Sequence, residues 1–417
     1  MRKGGSKGCS DRLAAMARPD PDSLLREGAA RHARGDLDGA EARYARVLAL
    51  RPADANALNL LGTLARQRGD LPRALALIGR AVALQPGAPV FLASLGGALA
   101  AAGRLPEAAQ ALRAALQQRP EDVTSLRNLG QVLCALRQPA AALPPLRRAV
   151  ALAPRQPEAH LALAHACREA GEIAAALAAA RDALALSPEP ELRAQAEFLL
   201  AALGAAPPPD RAPAAYVRDL FDQYAPRFEA DLAGRLAYRT PAELAALLRE
   251  AGVAADGSRR VLDLGCGTGL SGLALAPFAE RLEGLDLSPA MLAQAGRHGV
   301  YAALHEADLL DFLPRHPGAF DLIAAADVLN YLGDLAPALA AMAAALAPGG
   351  IAAFSVELAE QAAPFALGQG LRFHHAAAPL LALCAAAGLR PLAERRCVLR
   401  QEHDQPVAGL LLVLRAG

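Results

Sequence analysis

Three glycines set one residue apart, Gly265, Gly267 and Gly269, follow the apolar run Val261-Leu-Asp-Leu264 and precede Leu270. An apolar run of that length ending in glycines reads as a buried strand that turns sharply into a helix. Glycine there lets backbone N–H groups approach a ligand with no Cβ in the way. Asp286 stands 17 residues after Gly269, at the end of a second apolar run, Leu282–Leu287. A carboxylate at the carboxyl end of a parallel strand lies at the ligand crevice of an open α/β sheet, where it can accept both hydroxyls of a ribose. The chemistry implied is capture of a nucleoside-bearing cofactor. Asp263, two residues ahead of the first glycine, either supports the loop or reaches an amino group of the ligand.

The stretch Gly267-Thr-Gly269-Leu-Ser-Gly272 also fits Gly-x-Gly-x-x-Gly, the dinucleotide fingerprint, and that match alone is weak. Further along come Glu306-Ala-Asp308-Leu309-Leu310 and Phe320-Asp-Leu-Ile-Ala-Ala-Ala-Asp327-Val-Leu-Asn330-Tyr331, each after its own apolar run. Together with Asp263, this series resembles the class I S-adenosylmethionine-dependent methyltransferases. The resemblance implies S-adenosyl-L-methionine as cofactor, with Gly265, Gly267 and Gly269 around it and Asp286 on its ribose. It also implies Asp308 and Leu309 at the adenine, Leu287 and Met291 against the adenine face, and Asp327 within the cofactor-binding set. Plain structural roles compete. Asp308 is also an ordinary strand-end turn residue, and a methionine at helical spacing is often core. Asp286 competes poorly as a helix cap, because Ser288 before Pro289 fills that place better.

Methyl transfer asks little of acid–base chemistry, because the sulfonium already carries the leaving-group activation. The enzyme mainly aligns acceptor, methyl and sulfur and excludes water. Where a polar group is needed, Asn330, Tyr331 and His374 are candidates, with His375 beside the last. Asn330 is an amide and would orient an acceptor without deprotonating it. The six cysteines form no C-x-x-C pair and no ligand cluster, so no metal site is expected.

These residues need a scaffold, and the sequence alternates accordingly. Runs at Arg260–Leu264, Leu282–Leu287, Ala302–Glu306, Phe320–Ala325 and Ile351–Val356 are separated by helical stretches; Arg390–Arg400 and Val407–Leu414 close the series, with 402–406 as their turn. The pattern predicts a Rossmann-like, seven-stranded, doubly wound α/β sheet over 214–417, with a helical lead-in at 214–256. Within that lead-in, Tyr216–Phe228 is rich in aromatics and reads as a mobile lid or as a helix packed on the domain.

The other half repeats. Pro52, Pro86, Pro120, Pro154 and Pro188 recur every 34 residues, as do Ala40, Ala74, Ala108, Ala142 and Ala176. Gly28, Gly62, Gly96 and Gly130 keep the same period, with Ala164 in the fifth place; so do Gly35, Gly69, Gly103 and Gly171, with Arg137 in the fourth. The pattern resembles five tetratricopeptide repeats, helical hairpins that bury their faces only by stacking. An all-α superhelix with a capping helix is expected over 21–204. The proline-rich segment 205–213 reads as a semi-rigid spacer, and 1–20 as a disordered start. The lead-in motifs Tyr216–Phe228 and Tyr238-Arg-Thr-Pro241 extend the resemblance to bacterial predicted methyltransferases that carry such repeats.

Residues 1–204 hold 26 basic against 19 acidic side chains, and 205–417 hold 17 against 23. Neither half is basic enough to argue for nucleic acid, and no uninterrupted apolar span argues for a membrane. A repeat groove suits a protein or peptide partner, and the lack of paired cysteines suits the cytoplasm. The alternatives to the enzyme are a non-catalytic repeat adaptor with a methyltransferase-like domain, or a nicotinamide-dependent oxidoreductase.

Overall fold

A computed structural model describes residues 20–231, 238–359, 363–402 and 405–417. The expectations for 1–19, and for residues 403 and 404 in the last turn, lie outside the described residues. Eleven helices run from Pro21 to Ala202: α1 (Pro21–His32), α2 (Leu37–Leu50), α3 (Ala55–Gln67), α4 (Leu71–Leu84), α5 (Pro89–Ala101), α6 (Leu105–Gln118), α7 (Val123–Ala135), α8 (Pro139–Leu152), α9 (Pro157–Glu169), α10 (Ile173–Leu186) and α11 (Pro190–Ala202). Hairpins join α1 to α2, α3 to α4, α5 to α6 and α9 to α10, and α11 caps α10. The small residues explain the pairing. A Cβ at Gly62 would stand 2.6 Å from Ile78 Cγ1, and one at Gly28 would stand 2.5 Å from the Tyr44 ring, so helices α1/α2 and α3/α4 meet where no side chain intervenes. Aspartates start several helices: Asp54 accepts the Ala57 N–H at 3.0 Å and Asp122 the Ser125 N–H at 2.8 Å. Gly35, Gly69, Gly103 and Gly171 close the inter-helix turns at positive φ; Arg137 takes the same conformation (φ 59°) without glycine's freedom.

The chain forms two compact units, 1–136 and 137–417. The division falls inside the fourth repeat, and not at the proline-rich 205–213 where composition places a spacer. The reason is packing within the second unit. Leu161, Ala164, Phe198 and Leu199 of α9 and α11 share one apolar cluster with Val217, Leu371 and Phe373. The proline-rich segment is itself bound: Ala212 N–H donates to the Tyr331 carbonyl (2.9 Å) and Gly333 N–H to the Asp210 carbonyl (2.7 Å).

After this segment come α12 (Ala214–Tyr224), α13 (Phe228–Asp231) and α14 (Thr240–Glu250). The sheet follows: β1 (Arg259–Leu264), α15 (Leu270–Leu275), β2 (Ala279–Asp286), α16 (Pro289–Ala295), β3 (Ala303–Glu306), α17 (Leu309–Phe312), β4 (Phe320–Ala325), α18 (Ala336–Ala345), β5 (Leu346–Leu358), β6 (Phe365–Leu367), β7 (Phe373–His375), α19 (Ala377–Ala386), β8 (Leu389–Glu402) and β9 (Gln405–Ala416). Strands β3-β2-β1-β4-β5 are parallel neighbours in that order; β9 pairs antiparallel with β5 and with β8. These seven strands are the expected Rossmann-like sheet. Two short strands were not foreseen: β7 pairs with the end of β5, and β6 pairs with β7. Three-residue strands carry no readable periodicity.

Alternate residues face opposite cores, as a doubly wound sheet requires. Leu262, Ile323, Ala352 and Leu412 pack under α18 and α19; Val261, Leu322, Ala353 and Leu411 pack under α14 and α15.

Candidate active site

A cleft of about 290 Å³ opens at the carboxyl ends of β1, β2 and β4, within the second unit. One end is made largely of backbone. Gly265, Gly267 and Gly269 all have positive φ (59°, 52° and 98°), which explains their spacing. A Cβ on Gly265 would stand 2.4 Å from Val328 Cγ2; at Gly267 the only described atom within 4 Å is Phe228 Cε1 at 3.8 Å, so the loop is open toward the cleft. Asp286 ends β2 and ties this loop down. Its Oδ2 accepts the Gly267 N–H at 2.9 Å and its Oδ1 the Ser288 N–H at 2.8 Å. Burial raises the Asp286 pKa against those donors, and the neighbouring Asp222 carboxylate adds to the rise. Ser288 caps α16 by accepting the Met291 N–H at 3.1 Å, while its hydroxyl donates to Asp222 of α12 at 2.5 Å.

Asp263 lies fully buried behind the loop and does not line the cleft. Its Oδ2 accepts Ser271 Oγ–H (2.6 Å) and Tyr301 Oη–H (2.7 Å). Burial pushes its carboxyl up to about 7, with those two hydroxyls pulling the other way. Asp263 Oδ1 and Thr268 Oγ1 are buried without a hydrogen-bond partner among the described residues, and Thr268 lines the cleft.

The remaining expected residues divide. Leu287, Asp308, Leu309, Asp327, Asn330 and Tyr331 line the cleft; Gly269, Met291 and His374 do not. Met291 is fully buried core. Asp308 caps α17 through Leu310 N–H (2.9 Å) and pairs with Arg211, so its carboxylate has local partners. Asp327 follows β4 at φ 58°, a conformation costly for a side chain other than glycine. Its N–H donates to Ser355 Oγ, and that hydroxyl donates back to Oδ1, both at 2.7 Å. Its Oδ2 faces Thr240 Oγ1 (3.2 Å) and Arg400 Nη1 (3.8 Å). Burial raises its pKa, opposed first by Arg400.

The opposite end joins Asn330, Tyr331 and His374 to three side chains that the sequence reading missed, Glu357, Arg372 and Arg400. Glu357 of β5 is 2% exposed, and its Oε1 accepts from three residues: Asn330 Nδ2 (3.0 Å), Arg372 Nε (2.9 Å) and Arg400 Nη2. Arg400 and Arg372 hold the carboxyl down at about 2 although burial opposes them. His374 Nε2 lies 3.6 Å from Glu357 Oε2, and His375 Nε2 lies 3.0 Å from the Leu332 carbonyl. Arg372 and Arg400 line the cleft. Above them the Phe221 ring of α12 meets Tyr331 edge-on at 5.5 Å. One signal was available: Glu357 is the sole charge in Ile351–Leu358, and a charge in a buried strand demands partners.

The chain carries a tetratricopeptide-repeat region and a methyltransferase domain. Residues 261–350 match the family model described as methyltransferase domain, and overlapping segments from 25 to 189 match the model described as tetratricopeptide repeat. Among curated proteins, the ubiquinone biosynthesis O-methyltransferase of Aromatoleum aromaticum is 35% identical over 111 residues, 26% of this chain and 46% of that protein. Trans-aconitate 2-methyltransferase of Methylobacterium nodulans is 44% identical over 93 residues, 22% of this chain and 35% of that protein. The chain thus spans less than half the length of these relatives. Among solved structures, the N-methyltransferase NodS of Bradyrhizobium japonicum with S-adenosyl-l-homocysteine has a TM-score of 0.39 at 22% identity, covering 48% of this chain and 98% of that one.

S-adenosylmethionine is the cofactor that a methyltransferase domain of this kind implies. The glycine cradle, the Asp286 carboxylate and the unpartnered Thr268 Oγ1 fit a ligand carrying a ribose and a polar amino-acid tail. No described helix is long and apolar enough to cross a membrane, and no described group of three or more His, Cys, Asp or Glu side chains is placed to hold a metal ion.

Proposed function

We propose that this chain is a cytoplasmic S-adenosylmethionine-dependent methyltransferase whose repeats recruit a protein or peptide that is the methyl acceptor or delivers it. The observation that carries this reading is the joining, in one cleft, of the glycine loop and Asp286 to a separate end built on Glu357, Arg372 and Tyr331. The first end suits a nucleoside. The second has the polar groups and aromatic walls to hold an acceptor.

Gly265 and Gly267 would let the backbone approach the cofactor, Asp286 would take the ribose hydroxyls, and Leu287 and Leu309 would wall the adenine. Asp263 holds the glycine loop from behind through Ser271 and Tyr301. The sulfonium of the bound cofactor supplies the leaving group. The acceptor lies between Tyr331 and the Glu357 network, with Asn330 fixing the network's geometry and Phe221 and Tyr224 of α12 keeping water out. Any proton released on transfer has Asp327 within the same cleft, a carboxyl with a raised pKa.

Calorimetry on the full chain tests the reading. Titration with S-adenosylhomocysteine is expected to give saturable binding and titration with NADH none; NADH binding with no response to S-adenosylhomocysteine would overturn it.

A further inference from the structure

Arg372 belongs to the acceptor end of the cleft, yet what holds it comes from the repeats. It lies between Leu371 and Phe373, both buried, with Leu371 in the left-handed region at φ 61°. The Phe373 ring stands 5.8 Å from Phe365 of β6 and 6.1 Å from Phe198 of the capping helix α11. Phe198 stands 5.5 Å from Tyr216 of α12, which is stacked at 6.4 Å on His165 of α9. Arg168, one turn beyond on α9, donates Nη1 to the Gln369 carbonyl at 2.6 Å, in the turn between β6 and β7. The fifth repeat and its cap therefore grip the β6–β7 hairpin at two points, an aromatic stack and a backbone hydrogen bond. Close-packed interiors transmit such constraints, because neighbouring side chains have no free volume in which to move apart. A backbone pinned on both sides of Arg372 fixes where its guanidinium meets Glu357.

We propose that Phe198 and Arg168 are positioning residues for methyl transfer: the last repeat and capping helix hold the β6–β7 hairpin so that Arg372 and Glu357 stay aligned at the acceptor end. This rests on the methyltransferase reading for its catalytic consequence, but the grip itself is testable without it. It also gives the repeats a second task besides recruitment, since their final hairpin is a wall of the enzyme.

The test uses the full chain and its Phe198→Ala, Phe198→Leu, Arg168→Gln and Arg372→Ala variants. Hydrogen exchange of 365–375 is expected to quicken about tenfold in Phe198→Ala and less in Arg168→Gln, with Phe198→Leu restoring most of the protection. Transfer of label from methyl-tritiated S-adenosylmethionine to cell-extract acceptors is expected to fall about tenfold in Phe198→Ala, since small misplacements are costly. S-adenosylhomocysteine affinity should stay within about twofold across the Phe198 and Arg168 variants. Because Phe198 acts through Arg372, adding Arg372→Ala to Phe198→Ala should cost much less than Arg372→Ala alone. Should Phe198→Ala not fold, Arg168→Gln carries the same measurements, alone and combined with Arg372→Ala. Unchanged exchange of the hairpin in Arg168→Gln and in a folded Phe198→Ala, or effects that multiply in the double variant, would overturn the proposal. Wild-type protein that neither binds S-adenosylhomocysteine nor transfers label sinks the methyltransferase reading instead, and the exchange measurement still decides the grip.

Discussion

The two ends of the cleft are made in opposite ways. At the cofactor end, backbone does the work: three left-handed glycines within five residues, fastened by one carboxylate from the next strand. At the acceptor end, side chains from three distant places, Asn330, Arg372 and Arg400, converge on a single carboxylate oxygen of Glu357. The first can be assembled by any chain that forms β1 and β2. The second exists only when β5, the β6–β7 hairpin and β8 are all in place, and the hairpin is held by the repeats. The proposed cofactor end is thus kept on short-range structure, and the end proposed to hold the acceptor on long-range packing.

Truncation should break this contrast most severely. A fragment of residues 205–417 lacks Phe198 and Leu199 and uncovers Leu371 and Phe373, so it is expected to lose cooperative unfolding, while 137–417 keeps it. Thermal melts of the two fragments compare directly. Equal, sharp transitions would show that the hairpin needs no help from the repeats.

Glu357→Gln comes next. It takes from Arg400 and Arg372 the buried carboxylate that both donate to, and removing one partner of a buried ion pair costs about 3–5 kcal/mol. Urea unfolding of the full chain should show that loss. Asp286→Ala acts at the other end and chiefly on binding, with about 2–4 kcal/mol lost from cofactor affinity. Calorimetry should find the fold retained. A variant that binds S-adenosylhomocysteine normally would remove Asp286 from the ribose.

The ends also respond to pH with opposite sign. Glu357 is depressed from 4.5 to about 2, so its contribution is full above pH 4.5 and is lost as pH falls through about 2. Asp263 is raised from 3.8 to about 7, so its contribution is full below pH 3.8 and is lost as pH rises through about 7. Asp263→Asn should flatten the stability profile between those two values, and Glu357→Gln the acid limb, as read by urea midpoints across pH. The smallest effect concerns α12. If Tyr216–Phe228 closes over bound cofactor, S-adenosylhomocysteine should slow hydrogen exchange there; unchanged exchange would make it a fixed wall.

What could be read beforehand follows the same divide. The repeat period, the alternation of strands and helices, and the glycine loop are local patterns, and each reappears as structure. Asp286 and Gly267 were placed together because only one short helix and one strand separate them. Arg400 and Glu357 are 43 residues apart and meet only through β9, which lies between their strands. No spacing rule connects them. Met291 shows the converse: a residue at the right distance in sequence is turned into the core by the helix it stands on. The proline-rich 205–213 suits a spacer by composition, while its Asp210 carbonyl and Ala212 N–H bond the loop around Tyr331, which composition does not reveal.

The insertion of β9 between β5 and β8 has a consequence for synthesis. Strand β5 emerges from the ribosome more than forty residues before the strand that pairs with its free edge. The helical hairpins, whose contacts are local, can fold as they appear, whereas the sheet must wait with Ile351–Val356 uncovered. The last strand is the one that closes it. The nascent chain is therefore most prone to aggregate before Gln405–Ala416 arrives, and a pause in translation just upstream would lengthen that exposure.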